Sequence, residues 1–341
     1  MTALEPLKIL KTNIMKFYTF FLAVLLAAFT SKAVLIAERF TNDPAIDGWQ
    51  VYGDTNLFQW DATNHNLEVT WDSSQTNSYF FHSLGGIYSK TNDFLVLFDL
   101  KLKDIATGTT PGKPYTFELA AGLINTSTAT NGAYLRGFGN FPNIVEFDYF
   151  PNDINDFGAT VSTLMISSQT NYSLGGFTDP LEMETGTLYH VVMYYTAASQ
   201  TLHTAMAADW APFGPVENSY LDAGFDDFQV DAFSLNSYND DGQNPYGFVP
   251  DYSGSILAHG TVSKFVFASP LPVGLVQAIS AGQVQFGSDT NWLYTLEQTA
   301  DLQQTWSVAA PTVPGNGTNL ILQATNPPPD KAFYRVNADL P

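Results

Sequence analysis

The 341-residue chain contains no cysteine. Disulfide frameworks, thiolate nucleophiles and cysteine-ligated zinc are thereby excluded. Basic residues are also scarce: 13 Lys and Arg stand against 33 Asp and Glu, a formal net charge of -20. Between Arg136 and Lys264 there is no Lys or Arg at all. Nucleic acid, heparin-like chains and anionic membranes therefore make poor partners, because binding them needs clustered cations to neutralise phosphate or sulfate. Short catalytic signatures are missing too. No serine sits in a G-x-S-x-G elbow, and there is no H-E-x-x-H helix, no phosphate-binding P-loop and no clear internal repeat.

What is present is apolar and aromatic. Hydrophobic residues make up 45% of the chain and aromatics 14%, enough to bury a sizeable core. The stretch Met15–Ala33 has Lys16, an apolar run from Phe17 to Phe29, and small residues at Ser31 and Ala33. This is a signal-peptide pattern starting at Met15 and cut after Ala33, so a secreted or cell-surface protein is expected. The run is too short for a membrane span, and none is expected in the mature chain.

After Ala33, short segments rich in β-branched and aromatic residues alternate with polar turns. Examples are NLEVTW (66–71), FLVLFDLKL (94–102), YTFELAAGL (115–123), NIVEFDYF (143–150), TLMISS (163–168), LYHVVMYY (188–195) and TVSKFVFA (261–268). No amphipathic helix follows any of them. An all-β fold is expected, with a large jelly-roll β-sandwich over residues 34–268. SPLPVGLVQ (269–277), stiffened by Pro270 and Pro272, reads as a linker. A small all-β module is expected over 278–341, from GQVQFG, WLYTLEQT, NLILQAT and AFYRVNA.

The acids divide between a solvated surface and something more specific. In VEFDYFPND, strand alternation sends Glu146 and Asp148 to one face. Two carboxylates there repel unless a cation sits between them or a proton neutralises one. Asn152, Asp153 and Asp156 follow on a loop. A Ca²⁺ ion takes 6–8 oxygens from carboxylates, amides and backbone carbonyls. Glu146, Asp148, Asn152, Asp156 and the carbonyl of Phe150 form a candidate set.

The stretch YTFELAAGLINTSTATNGAYLRGFGNFPNIVEFDYFPNDINDFG resembles the middle of the legume-type (L-type) lectins, which belong to the concanavalin A-like superfamily. In that family a glycine-rich turn precedes a V-E-F-D strand and a further Asp; here the turn is NGAYLRG. The resemblance implies metal-binding roles for Glu146, Asp148, Phe150 (through its carbonyl), Asn152 and Asp156, the last one residue early. Two departures matter. The family's histidine after the second Asp is missing, which leaves a hard Ca²⁺ site rather than one completed by imidazole. The sugar-contacting Asp before the turn is also missing, since AAGLINTST holds no acid.

The same fold class includes laminarinase-like glucanases, whose strand reads E-x-D-x-x-E with nucleophile and acid/base roles for the two Glu. Here Pro151 stands where the second Glu belongs, and proline donates no proton; Asp153 or Glu118 would serve only in another geometry. The C-terminal WLYTLEQTADLQQTWSVAA, with its closing FYRV, resembles a small β module at the end of exported proteins of Verrucomicrobia-like bacteria.

Candidate sugar contacts are Tyr134, after the NG turn, and Asp240, Asp241, Asn244, Tyr246 and Tyr252 in the acidic, aromatic loop 234–255. Rings stack on sugar C–H faces, and carboxylates and amides take the hydroxyls. Trp49, Trp60, Trp71 and Trp210 are expected in the core. His190 and His203 are candidates to pair across a hairpin, or to sit singly on a strand face. Three functions stay open. The first expectation is a secreted, non-catalytic, lectin-like glycan-binding protein with Ca²⁺. The alternatives are a glycan-active hydrolase or lyase of the same fold, and a structural surface protein.

Overall fold

The computed structural model describes residues 34–109, 119–131, 142–151, 159–175, 181–239, 255–273, 276–280, 282–300, 305–327 and 332–341. The signal segment 1–33 lies outside the described residues. So do Glu118, Tyr134, Asn152, Asp153, Asp156, Asp240, Asp241, Asn244, Tyr246 and Tyr252.

The regular structure of the described residues is almost entirely antiparallel strand. The first eight strands are β1 (Val34–Glu38), β2 (Gln50–Tyr52), β3 (Phe58–Asp61), β4 (Asn66–Asp72), β5 (Ser78–Ser89), β6 (Phe94–Ala106), β7 (Leu119–Ile124) and β8 (Ile144–Phe150). They continue with β9 (Thr160–Ile166), β10 (Tyr172–Leu174), β11 (Leu188–Thr196), β12 (Thr201–Ala208), β13 (Ala211–Phe213), β14 (Ser219–Tyr220), β15 (Gln229–Ser237) and β16 (Leu257–Ser269). A four-residue helix, α1 (Thr126–Ala129), follows β7. No helix among the described residues is long and apolar enough to cross a membrane.

These strands form two sheets. One has nine strands in the order β13-β12-β11-β6-β16-β4-β3, with β1 also on β16 and β14 on β12. The other has seven, in the order β10-β9-β8-β7-β15-β5-β2. The inward side chains interleave between them. Phe98 meets Phe147 edge-on at 5.5 Å, Phe233 stacks on Phe265 at 3.9 Å, and Trp49 stacks on Phe80 at 4.7 Å. This is the β-sandwich the strand pattern predicts.

β4 shows the simple case: Leu67, Val69 and Trp71 are buried in the core, while Asn66, Glu68, Thr70 and Asp72 between them are only half-buried. β6 begins as an unbroken apolar run because both of its faces are covered. Phe94, Val96 and Phe98 enter the central core, and Leu95 and Leu97 point the other way.

What covers Leu95 and Leu97 is the C-terminal part of the chain. It comprises β17 (Gln277–Ser280), β18 (Gln283–Gly287), β19 (Leu293–Thr299), β20 (Ser307–Pro314), β21 (Asn319–Gln323) and β22 (Phe333–Asp339). They make two three-stranded sheets, β17-β18-β21 and β20-β19-β22. Phe286, Trp292, Tyr294 and Leu296 share one apolar cluster with Val266 and Ala268 of β16. The Tyr294 hydroxyl donates to the carbonyl of Pro272 at 2.5 Å, which ties the segment after β16 to β19.

Candidate functional site

β8 has the alternation expected of it. Val145, Phe147 and Tyr149 enter the central core; Ile144, Glu146 and Asp148 face outward from the seven-stranded sheet. Glu146 and Asp148 are nonetheless fully buried. Burying a carboxylate is costly unless hydrogen bonds or a cation hold its charge.

The neighbours of these acids follow from register. On β7, Ala120 lies opposite Asp148 and Gly122 opposite Glu146. On the far side of β7, β15 sets Asn236 opposite Ala120 and Ser234 opposite Gly122. The two smallest side chains thus form a floor, with Glu146 and Asp148 on one side and Ser234 and Asn236 on the other. Glu146 Oε1 accepts from Asn236 Nδ2 at 2.6 Å and from the Tyr238 hydroxyl at 2.8 Å. Asn236 Oδ1 and Ser234 Oγ are buried, with no hydrogen-bond partner among the described residues.

Gly122 is required by close approach rather than by a turn. A Cβ there would lie 2.3 Å from the carbonyl oxygen of Val145 and 2.7 Å from Cα of Glu146.

The two carboxylates, the Asn236 amide oxygen and the Ser234 hydroxyl are hard oxygens of the kind Ca²⁺ takes, beside the Asn236 N–H and Tyr238 O–H that hold Glu146 Oε1. Two buried oxygens that lack donors fit a cation better than they fit a dry sheet face. Among the described residues, no group of three or more His, Asp and Glu converges as metal ligands. Of the set predicted from sequence, Glu146, Asp148 and Phe150 are described, and Phe150 ends β8 half-buried beside Pro151.

The same outer face carries an open hollow of about 370 Å³, lined by Gln50, Phe81, Ser83, Thr126, Thr130 and Asp231 among others. Phe81 pairs with Ser234 across β5 and β15, so the hollow adjoins the polar cluster. Asp231 accepts from the backbone N–H of Thr126 at 2.8 Å and from its hydroxyl at 3.0 Å, which fixes α1 at the rim. One aromatic ring among hydroxyls, an amide and a carboxylate is the mixture that binds a sugar.

No family model matches the chain, and no curated protein matches it. Among solved structures, peanut lectin with a nine-residue peptide shares 12% identity at a TM-score of 0.44, over 70% of this chain and 98% of that one. Basic winged bean lectin with Tn-antigen shares 14% at 0.43, over 71% and 100%. The legume lectin-like domain from Entamoeba histolytica shares 10% at 0.40, over 68% and 95%. Overlaps this loose bear on neither ligand nor mechanism.

Asn236, Ser234 and Tyr238 were not foreseen from sequence. They lie about ninety residues from Glu146, and Asn236 and Tyr238 reach it only across β7. A faint signal exists in β15, where Ala232, Ser234 and Asn236 alternate with the core residues Phe233 and Leu235.

Two further expectations are corrected. His190 and His203 do not pair, because register puts His190 opposite Ala207 and His203 opposite Tyr194. Trp49 and Trp71 are core residues and Trp60 is half-buried, but Trp210 is 78% exposed. It sits in the turn after β12, beyond the reach of either core.

Proposed function

We propose that the chain is a secreted, non-catalytic, lectin-like glycan-binding protein of concanavalin A-like architecture, acting at the cell surface with Ca²⁺. The observation that carries this reading is the buried, oxygen-rich cluster of Glu146, Asp148, Ser234 and Asn236 on the outer face of the seven-stranded sheet. A bound Ca²⁺ would be held by Glu146, Asp148 and the Asn236 amide oxygen, completed by Phe150 carbonyl, Asn152 and Asp156 from the loop that follows. Its part would be structural, neutralising the buried carboxylates of Glu146 and Asp148.

The glycan would occupy the hollow at Phe81 and Asp231, with Tyr134 and the residues Asp240, Asp241, Asn244, Tyr246 and Tyr252 as further contacts. Resemblance of the 115–158 stretch to L-type lectins supports the same reading, as does the acidic surface, which favours neutral saccharides over anionic polymers. The C-terminal strands would serve as an accessory part for display at the surface.

The test is a thermal melt with chelator and with millimolar CaCl₂, alongside a glycan array under both conditions. A ligand that binds only the folded state stabilises it by about 2.7 kcal/mol at a hundredfold excess over its Kd. The wild type should melt higher and bind its glycan with Ca²⁺. Glu146→Gln keeps an oxygen for Asn236 and Tyr238 but loses the charge, and should lose the Ca²⁺ response. Identical melts with and without chelator would remove the metal. An array blank in both conditions would remove the glycan.

A further inference from the structure

Trp210 occupies a position that suits almost any residue better. β12 and β13 form a hairpin in which Ala208 pairs with Ala211, leaving Asp209 and Trp210 as a two-residue turn. Both have positive φ, 45° at Asp209 and 71° at Trp210. Such turns favour Asn-Gly or Asp-Gly, and a bulky residue at positive φ is an outlier. Backbone strain of this kind persists where something else requires it, and points to function. The turn is anchored from both sides: Asp209 N–H donates to the Leu188 carbonyl at 2.9 Å, and the Asp209 carboxylate accepts from the Leu188 N–H at 3.2 Å.

The indole is not adrift. It stacks on His190 with ring centroids 3.7 Å apart and planes 29° from parallel. His190 is nine-tenths buried, and its Nδ1 lies 2.7 Å from Asp99 Oδ1. The carboxylate can only accept, so Nδ1–H faces Asp99 and the contact fixes the orientation of the ring. His190 Nε2 is itself buried, with no hydrogen-bond partner among the described residues. Trp210 therefore has one face on a clamped ring and the other in water.

Three observations select the ligand. The outer face around His190 carries charges of both signs, with Lys264 opposite Asp99 and Lys101 opposite Leu188, so a polymer of a single charge sign is not matched. Among the described residues, no other large exposed hydrophobic side chain lies on β11, β12 or β13, so Trp210 lacks the surrounding apolar rim of a protein hot spot. A lone, rigid ring flanked by the Asp209 carboxylate matches a saccharide, whose C–H face stacks on the indole while its hydroxyls reach the carboxylate oxygens.

We propose that Trp210, backed by His190, is a contact for a neutral polysaccharide. It lies on the outer face of the nine-stranded sheet, across the sandwich from Glu146, and stands independently of the first site. Two contacts on opposite faces would let one molecule bridge two chains of a glycan.

The test is affinity electrophoresis of the full chain in gels containing laminarin, xyloglucan, hydroxyethylcellulose or dextran, with wild type, Trp210→Ala, Trp210→Gly and Glu146→Gln. Glycine tolerates the turn's φ, so Trp210→Gly keeps the fold even if Trp210→Ala does not. At least one polysaccharide should retard the wild type, with affinity falling about tenfold in Trp210→Gly; any retardation lost in Glu146→Gln reads the first site separately. Failure of all four to retard the wild type overturns the proposal. So does equal retardation of Trp210→Gly and wild type. Retardation kept in Trp210→Gly but lost in Glu146→Gln also overturns it, while leaving the first site standing.

Discussion

Gly122→Ala would place a methyl group where the β8 backbone already is. The added carbon would meet the Val145 carbonyl oxygen at 2.3 Å and Glu146 Cα at 2.7 Å, about 1 Å inside ordinary contact. Neither atom can step aside, since both belong to a strand held between β7 and β9 by ladders on each edge. Overpacking of this kind costs about 3 kcal/mol at its upper range. Replacing glycine returns about 0.7 kcal/mol by restricting the unfolded chain, leaving a net loss near 2 kcal/mol. At about 2 °C per kcal/mol for a chain of this size, melting should fall by about 4 °C. The displacement also pushes Glu146 away from Asn236 and Tyr238, so any stabilisation by Ca²⁺ should shrink in the same variant. Gly287→Ala is the control, because nothing lies within 4 Å of its added Cβ. Calorimetry on the three proteins reads the difference. A Gly122→Ala chain that melts with the wild type would refute the reasoning.

Glu38→Ala should be costly although it touches no site. The buried Glu38 carboxylate accepts from the N–H groups of Arg39 and Phe40 at 2.7 and 2.5 Å, and from Trp49 Nε1 at 3.1 Å. Orphaning the donors of Phe40 and Trp49 should cost about 3 kcal/mol, read as a lower urea midpoint at unchanged slope. High pH should also destabilise the fold. Burial pushes the Tyr149 phenol up to about 12, and moves Tyr88, Tyr189, Tyr195 and Tyr294 in the same direction. Above about pH 10 the unfolded chain has released protons that the folded chain still holds, so the tyrosines' contribution to stability is lost as pH rises beyond that point and is constant below it. Phenolate absorbance followed with circular dichroism tests this, and full tyrosine ionisation near pH 10 with the sheets intact would contradict it.

The sandwich was legible where one residue type dominates a face. β4 and β11 alternate, and β6 and β8 are apolar enough to mark strands buried on both sides. β5 was hidden because Gly85 and Gly86 interrupt a twelve-residue strand. β15 was hidden because its outward residues are Ser234 and Asn236, which read as loop although both are fully buried. The shared face of Glu146 and Asp148 followed from a period of two. Their partners did not, since no spacing rule links β8 to a strand that meets it only through β7. Trp210 was misread because an aromatic residue is ordinarily a core residue, and the two-residue turn that expels it is visible only once β12 and β13 are paired.

β16 lies inside the nine-stranded sheet and is hydrogen-bonded to β1, β4 and β6. Val34 pairs with Ser269, so the first strand of the sandwich to leave the ribosome waits for the last. Until β16 is made, β6 has an empty edge and two apolar faces, and the sheet exists only as unmatched pieces. Contacts this distant in sequence slow folding, and they leave sticky intermediates exposed during synthesis. The sheet thus closes only when its final sandwich strand joins the first, whatever has been translated before it.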